Sequence, residues 1–271
     1  MRLTVTSWNI NSVRLRIEQV RRFVETVRPD VLCLQETKCQ DDRFPLKDIR
    51  AMGLPHVAIS GQKGYHGVAI ASRLPFAATD VMRFCGKDDA RHIAVTLGPE
   101  AGAAAGITVH DFYVPAGGDI PDPELNEKFA HKLGFLEEMR IWGRDARPAA
   151  GPAILVGDLN VAPLETDVWS HRQLLDVVSH TPVETQALET LRQEGGWIDA
   201  MRRLRPEPER IYTWWSYRSP DWAAADKGRR LDHVWVSRDL DPALRSVEVF
   251  KEARAWDRPS DHAPVTAVFE L

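Results

Sequence analysis

Residues 153–163 read Ala153-Ile154-Leu155-Val156-Gly157-Asp158-Leu159-Asn160-Val161-Ala162-Pro163, and this stretch constrains the fold more than any other. Four apolar residues without alternation, bounded by Pro152 and Gly157, predict a strand buried on both faces. Such a strand needs a packed layer on each side, so it belongs inside a large core. Asp158 and Asn160 leave its C-terminal edge two residues apart, and on an extended backbone residues i and i+2 point the same way. A carboxylate and an amide placed together there cost free energy unless something polar meets them. Taken alone, Asp-x-Asn is also what an Asx turn at a strand end looks like.

The rest of the chain repeats the pattern. A first strand over residues 2–10 carries Asn9 at its end, a second over 30–38 carries Glu36, and a strand over 106–114 carries Tyr113. Between the first two, Ser12 as cap and Val13, Ile17, Val20, Val24 and Val27 at steps of three and four predict a helix that Pro29 ends. A short helix is expected over 44–53, and strands over 56–60, 67–72, 76–84 and 91–97. A long helix over 122–145 would bury Leu125, Phe129, Leu133, Leu136 and Met139. Residues 167–205 read as irregular helix with little chemical signal, 210–217 as an aromatic strand, and 231–237, 244–251 and 264–269 as further strands. Regular β-α alternation stops after residue 55. That pattern predicts an α+β protein with two sheets packed face to face and helices outside.

No Gly/Ser run, charge block or repeat interrupts the 271 residues, so one domain over 1–271 is expected. A net charge of −4 advertises no polyanionic partner, and any nucleic-acid contact must come from a local patch. Cys33, Cys39 and Cys85 are odd in number and lack a Cys-x-x-Cys pair, which argues against zinc and against a disulfide framework. No apolar run approaches the roughly 20 residues that span a membrane, and no charged leader precedes the first strand. A soluble, reducing, cytoplasmic setting is the expectation.

Asn9, Glu36, Tyr113, Asp158, Asn160, Asp232, Asp261 and His262 could converge on one rim of such a sandwich. Glu36 with amide oxygens is an oxygen-only environment that suits magnesium or manganese rather than zinc. His262 beside Asp261, with Asp232 elsewhere, could be an oriented imidazole.

These residues lie in Trp8-Asn9-Ile10-Asn11, Leu34-Gln35-Glu36-Thr37-Lys38, Tyr113-Val114-Pro115, Gly157-Asp158-Leu159-Asn160, Arg230-Leu231-Asp232 and Ser260-Asp261-His262-Ala263-Pro264. With its motifs in that order, the chain resembles the exonuclease III family of abasic-site endonucleases, in the endonuclease/exonuclease/phosphatase superfamily. The resemblance implies a four-layer α/β sandwich and a monomer that uses Mg2+, or Mn2+, with one or two ions. It implies action on double-stranded DNA bearing abasic sites or blocked 3′ ends. Carried over by motif, Glu36 is the principal metal ligand, with Asn9 supporting it and Asp261 near. Asp158 positions or activates water beside Asn160, and both, with His262, border the metal. His262 holds the phosphate or acts as base, oriented by Asp232, and Tyr113 bonds the phosphate or assists the leaving oxygen.

Two departures stand out: Asp111 occupies a position where the family commonly has Asn, and Asn11-Ser12 replaces its Asn-Gly. Tyr212–Arg218 resembles the family segment lining the abasic-sugar pocket, which nominates Trp214 and Arg218. Arg91 and Arg229, with Lys87, Lys227 and Arg230, are candidate phosphate contacts. The alternatives are a phosphomonoesterase or a lipid or inositol-phosphate phosphoesterase on the same fold, and a catalytically inert DNA-binding protein.

Overall fold

Strands that are apolar on both faces need two partners, and the chain supplies them by stacking two six-stranded sheets. The computed structural model describes residues 1–146, 151–219 and 221–271. The first half runs β1 (Arg2–Asn9), α1 (Ile17–Val27), β2 (Val31–Gln35), α2 (Leu46–Ala51), β3 (His56–Ser60), β4 (Val68–Ser72), β5 (Phe76–Asp80), β6 (His92–Leu97), β7 (Thr108–Tyr113), α3 (Glu127–Asp145) and β8 (Ala153–Asp158). The second half runs α4 (His171–Leu174), α5 (Pro182–Glu194), β9 (Ile198–Asp199), α6 (Ala200–Leu204), β10 (Trp214–Trp215), α7 (Trp222–Ala225), β11 (Gly228–Arg229), β12 (Asp232–Val236), β13 (Leu244–Val249) and β14 (Val265–Glu270).

One sheet has the order β13-β14-β1-β2-β4-β3 and the other β5-β6-β7-β8-β12-β9. Ile154 and Val156 of β8 share the core between the sheets with Val5, Val31, Val234 and Val265. The alternate residues Ala153 and Leu155 pack outward with Phe135, Leu136, Met139, Leu188 and Leu191 of α3 and α5. On the other outer face, Trp8, Leu32 and Leu34 meet Val20, Phe23 and Val24 of α1. Helix, sheet, sheet, helix is the four-layer sandwich the sequence predicts.

Strand direction assembles the rim. β1 and β2 are parallel, as are β7 and β8, so Asn9, Gln35, Tyr113 and Asp158 end together in their pairs. β12 is antiparallel to β8 and β14 to β1, so they begin where their partners stop. Asp232 lies opposite Asp158 in register, and the 260–262 segment enters β14 at the same edge.

Gly157 makes the tightest point of this arrangement. Its φ is 142°, and a Cβ there would stand 1.9 Å from the Phe112 carbonyl oxygen across the β7–β8 ladder. Backbone cannot give way as a flexible side chain can. Gly157→Ala is therefore expected to destabilise the fold by more than about 3 kcal/mol, read by urea unfolding. A variant as stable as wild type would remove this account of the strand pair.

Four expectations need correction. Helix α1 begins at Ile17 rather than Ser12, whose φ of 85° cannot cap a helix; the Ser12 and Val13 amides instead donate to the Glu36 and Thr37 carbonyls, at 2.7 and 3.2 Å. Val13 is still buried, but as part of this extension of the sheet. Helix α3 begins at Glu127 because the Asn126 side chain accepts from the Lys128 amide, which leaves Leu125 outside and exposed. The 210–217 segment joins neither six-stranded sheet: within it only β10 is extended, pairing with β11 as a two-residue ribbon and bridging to His262 through Trp214. Residues 167–205 do carry chemistry, since Asp167 and Glu184 are fully buried there.

Candidate active site

Asn9 is the hub of the rim. It is fully buried at the end of β1, and its Nδ2 donates to Glu36 Oε1 and Asp158 Oδ2, each at 2.9 Å. One amide nitrogen thus draws two carboxylates together, while its Oδ1 accepts from the Asn11 amide at 3.1 Å. Glu36 sits one residue past β2 with φ 51°, a left-handed step that turns its side chain out of the strand direction. Lys38 Nζ lies 2.8 Å from Glu36 Oε2. Burial works to raise the Glu36 pKa, but Lys38 and the Asn9 hydrogen bond outweigh it and hold the carboxyl below its ordinary range.

Asp158 is almost completely buried. Its Oδ1 accepts from the Asn160 amide at 3.0 Å, and its Oδ2 from Asn160 Nδ2 at 3.1 Å. Asn160, at φ 53°, folds back on the strand it follows and also donates to the Val114 carbonyl at 2.9 Å. Burial pushes the Asp158 carboxyl up to about 7; His262 opposes the shift, and Asp232 and Glu36 add to it. His262 Nδ1 is 2.8 Å from Asp232 Oδ2, which also accepts from the Thr213 hydroxyl at 2.6 Å. His262 Nε2 is 3.6 Å from Asp158 Oδ2. Burial would lower the imidazole pKa, yet Asp232 and then Asp158 prevail and raise it to about 10. His262 is therefore a cation at neutral pH, held by one aspartate and turned toward another.

Asp261, the residue before His262, accepts from Asn11 Nδ2 at 3.1 Å and Trp214 Nε1 at 3.0 Å. Tyr113 is 8% exposed. Burial, then Glu36 and Asp158, push its phenol well above the ordinary tyrosine value, so it keeps its proton. Behind it Arg91 lies 4.9 Å over the ring, donates to the Tyr113 carbonyl at 3.2 Å and pairs with Asp89.

These side chains open on a cleft of about 860 Å³ that also takes in Trp169, Trp214, Arg218, Lys227 and Arg229. Trp214 lines it while Trp215 is 1% exposed. Arg229 sits 5.3 Å over the Trp214 ring and Lys227 4.7 Å over Trp169, so cations back both aromatic walls. Arg218 is exposed at the rim. Three sequence candidates stand elsewhere, the first being Lys87, which is exposed in the turn after Phe84 and does not line the cleft. Arg230 is fully buried, spent on Asp167 and Asp199. Arg91 is buried behind Tyr113 and reaches the cleft only through it. Sequence reasoning misses Trp169, Thr213 and Asn11 as site residues: Asn11 and Thr213 lie within the motif segments 8–11 and 212–218, and Trp169 is an isolated residue whose place at the cleft depends on long-range contacts.

Asp111 settles one departure. It is fully buried between the sheets, accepting from Gln35 Nε2 at 2.6 Å, with no cation paired with it among the described residues. Among the described residues its Oδ2 and Gln35 Oε1 have no hydrogen-bond partner, and burial raises its pKa well above the ordinary value. The acid lies beneath the cleft, where burial favours its protonated form. A folded pKa above the unfolded one means that the native state binds the extra proton, so stability falls as pH rises from about 4 toward the folded pKa. Asp111→Asn removes this titration and is expected to stabilise the protein by about 1–3 kcal/mol at pH 8, with a smaller gain at pH 4. Thermal melts at the two pH values check this; an equal gain at both would contradict it.

The carboxylates that Asn9 draws together present hard oxygen donors. Such a set fits a divalent cation. Facing an imidazolium, it suits an anionic substrate attacked by water, which defines a phosphoester hydrolase built on a two-sheet sandwich. Residues 6–262 match the Endonuclease/Exonuclease/phosphatase family, and the chain belongs to that family, in its exonuclease III branch. It is 30% identical to exodeoxyribonuclease III of Haemophilus influenzae over 97% of this chain and 98% of that protein. An AP endonuclease from Archaeoglobus fulgidus superposes with a TM-score of 0.89 at 32% identity, covering 99% of this chain and all of that one. The 3′ phosphatase NExo from Neisseria, solved with a product DNA hairpin, gives 0.89 at 33% identity with the same coverage. The chain is thus a nuclease of the DNA-repair type. No helix among the described residues is long and apolar enough to cross a membrane.

Proposed function

We propose that the protein is a Mg2+-dependent DNA-repair nuclease that hydrolyses the phosphodiester 5′ to an abasic site in duplex DNA and trims or cleans blocked 3′ ends. The observation that carries the reading is the approach of His262 Nε2 to Asp158 Oδ2 at 3.6 Å, beside a cleft walled by Trp169 and Trp214. A base-less deoxyribose fits between aromatic walls, and Arg218, Lys227 and Arg229 meet the flanking phosphates without reading sequence.

Glu36 and Asp261, with Asn160 and Asp158 adjacent, would hold Mg2+ or Mn2+, and the ion would offset the phosphate charge that repels an incoming hydroxide. Asn9 presents its Nδ2 to both carboxylates, so it arranges the ligands rather than adding to them. Asp158, with a pKa near neutrality, takes a proton from water, and the two amides on it fix the direction of its free lone pairs. His262 already carries a proton and donates from Nε2 to a non-bridging phosphate oxygen; Asp232 keeps the ring oriented. Tyr113 keeps its phenolic proton and donates toward the leaving oxygen, with Arg91 behind it.

The test compares an abasic-site duplex with inositol phosphates, with and without EDTA. Incision of the duplex that EDTA stops and Mg2+ restores is expected. Hydrolysis of inositol phosphates alone would replace the reading with the phosphoesterase alternative.

A further inference from the structure

We infer that Lys132, buried in α3 and outside the cleft, is a positioning residue for the Asp158–Asn160 turn. The inference rests on the proposed roles of Asp158 and Asn160.

Lys132 is fully buried. Its Nζ donates to the Asn160 carbonyl at 2.7 Å and the Ala116 carbonyl at 3.3 Å, and makes its third bond to Glu184. Three acceptors around one nitrogen are what an ammonium, with three N–H bonds, requires. The Asn160 carbonyl belongs to the residue held at φ 53°. Backbone in that region persists only where its surroundings over-determine it. One such constraint is the Asn160 side chain on Asp158 and Val114; Lys132 on its carbonyl is the other. The loop after Tyr113 is shaped to admit this lysine. Gly117 has φ 91°, and a Cβ on it would come within 2.9 Å of Lys132 Cδ.

Glu184 carries the connection onward. It is fully buried and accepts from the Ser179 amide at 2.9 and 3.0 Å and from the Thr181 hydroxyl at 2.6 Å. Ser179 in turn accepts from Arg229 through its hydroxyl at 2.8 Å, and from the Ala162 amide at 2.7 Å through its carbonyl. One buried ion pair therefore ties the catalytic turn, the loop after Tyr113 and the wall bearing Arg229. A buried pair is weak evidence of stability, because well-packed apolar residues often replace it without loss. A donor aimed at Asn160 is what such a replacement could not supply.

The test separates positioning from stability. Lys132→Met and Lys132→Met/Glu184→Gln are assayed on an abasic-site duplex, with kcat expressed per folded molecule from circular dichroism at the assay temperature. The single variant leaves Glu184 unpaired and is expected to lose stability; the double variant is expected to regain most of it. In both, kcat is expected to fall about 10–100-fold, the scale of a misplacement near 1 Å, with KM within about threefold. Recovery of kcat together with stability in the double variant would overturn the inference, as would a rise in KM with kcat unchanged. The wild-type rate in the same assay tests the underlying reading: an inactive wild type rejects the proposed substrate, and the inference with it.

Discussion

Asp158→Asn is expected to lower kcat on an abasic-site duplex at least about a thousandfold while leaving the DNA dissociation constant within about threefold. The amide is isosteric, so the fold and the cleft walls persist. It cannot accept a proton, and one of its atoms becomes a donor. Placed at Oδ2 that atom would face both Asn9 Nδ2 and Asn160 Nδ2, and placed at Oδ1 the Asn160 backbone amide, all of which now donate to the carboxylate, so at least one hydrogen bond is lost. His262 also loses an anion that helps hold its proton. Turnover and binding therefore separate, and a fluorescence-anisotropy titration beside a single-turnover assay reads both. Unchanged turnover would exclude Asp158 from the chemistry. A parallel collapse of binding would make its role that of substrate recognition.

Glu36→Gln acts on the cation instead. The outward carboxylate oxygen faces Lys38 and the inner one faces Asn9, so an amide puts a donor against a donor on one side and removes the charge a metal needs. The Mg2+ concentration giving half-maximal rate is expected to rise by more than the roughly 10–100-fold that loss of an outer supporting partner costs, with partial recovery at high metal. A metal titration of the incision rate measures this. A titration curve that overlays wild type would place the ion away from Glu36.

How much was legible in the sequence follows from how far each signal reaches along the chain. Ala153–Asn160 declared both its strand and its polar end, because unbroken apolar burial and an abrupt carboxylate are local facts. The convergence of Asn9, Glu36, Asp158, Asp232 and His262 was readable through the order of the motifs, and the mixture of parallel and antiparallel pairs explains why strand ends and strand starts share one rim. The start of α1 was misread because the Ser12 amide is taken by Glu36, a partner supplied by another strand. Arg230 looked like a phosphate contact because nothing local reveals that Asp167, 63 residues away, already holds it. Lys132 and Glu184 lay unremarked on two helices, since only the packing of α3 on α5 buries them together. Asp111 is legible as a departure, but its burial beneath the cleft, which raises its pKa, depends on the second sheet.

The central claim is that this site hydrolyses the phosphodiester on the 5′ side of an abasic residue. It is tested most directly by mapping the products from an end-labelled duplex containing one abasic site, incubated with Mg2+. The account predicts a single incision leaving a 3′-hydroxyl on the upstream strand and a 5′-deoxyribose phosphate downstream. An intact duplex, or a break on the 3′ side of the abasic residue, would contradict it.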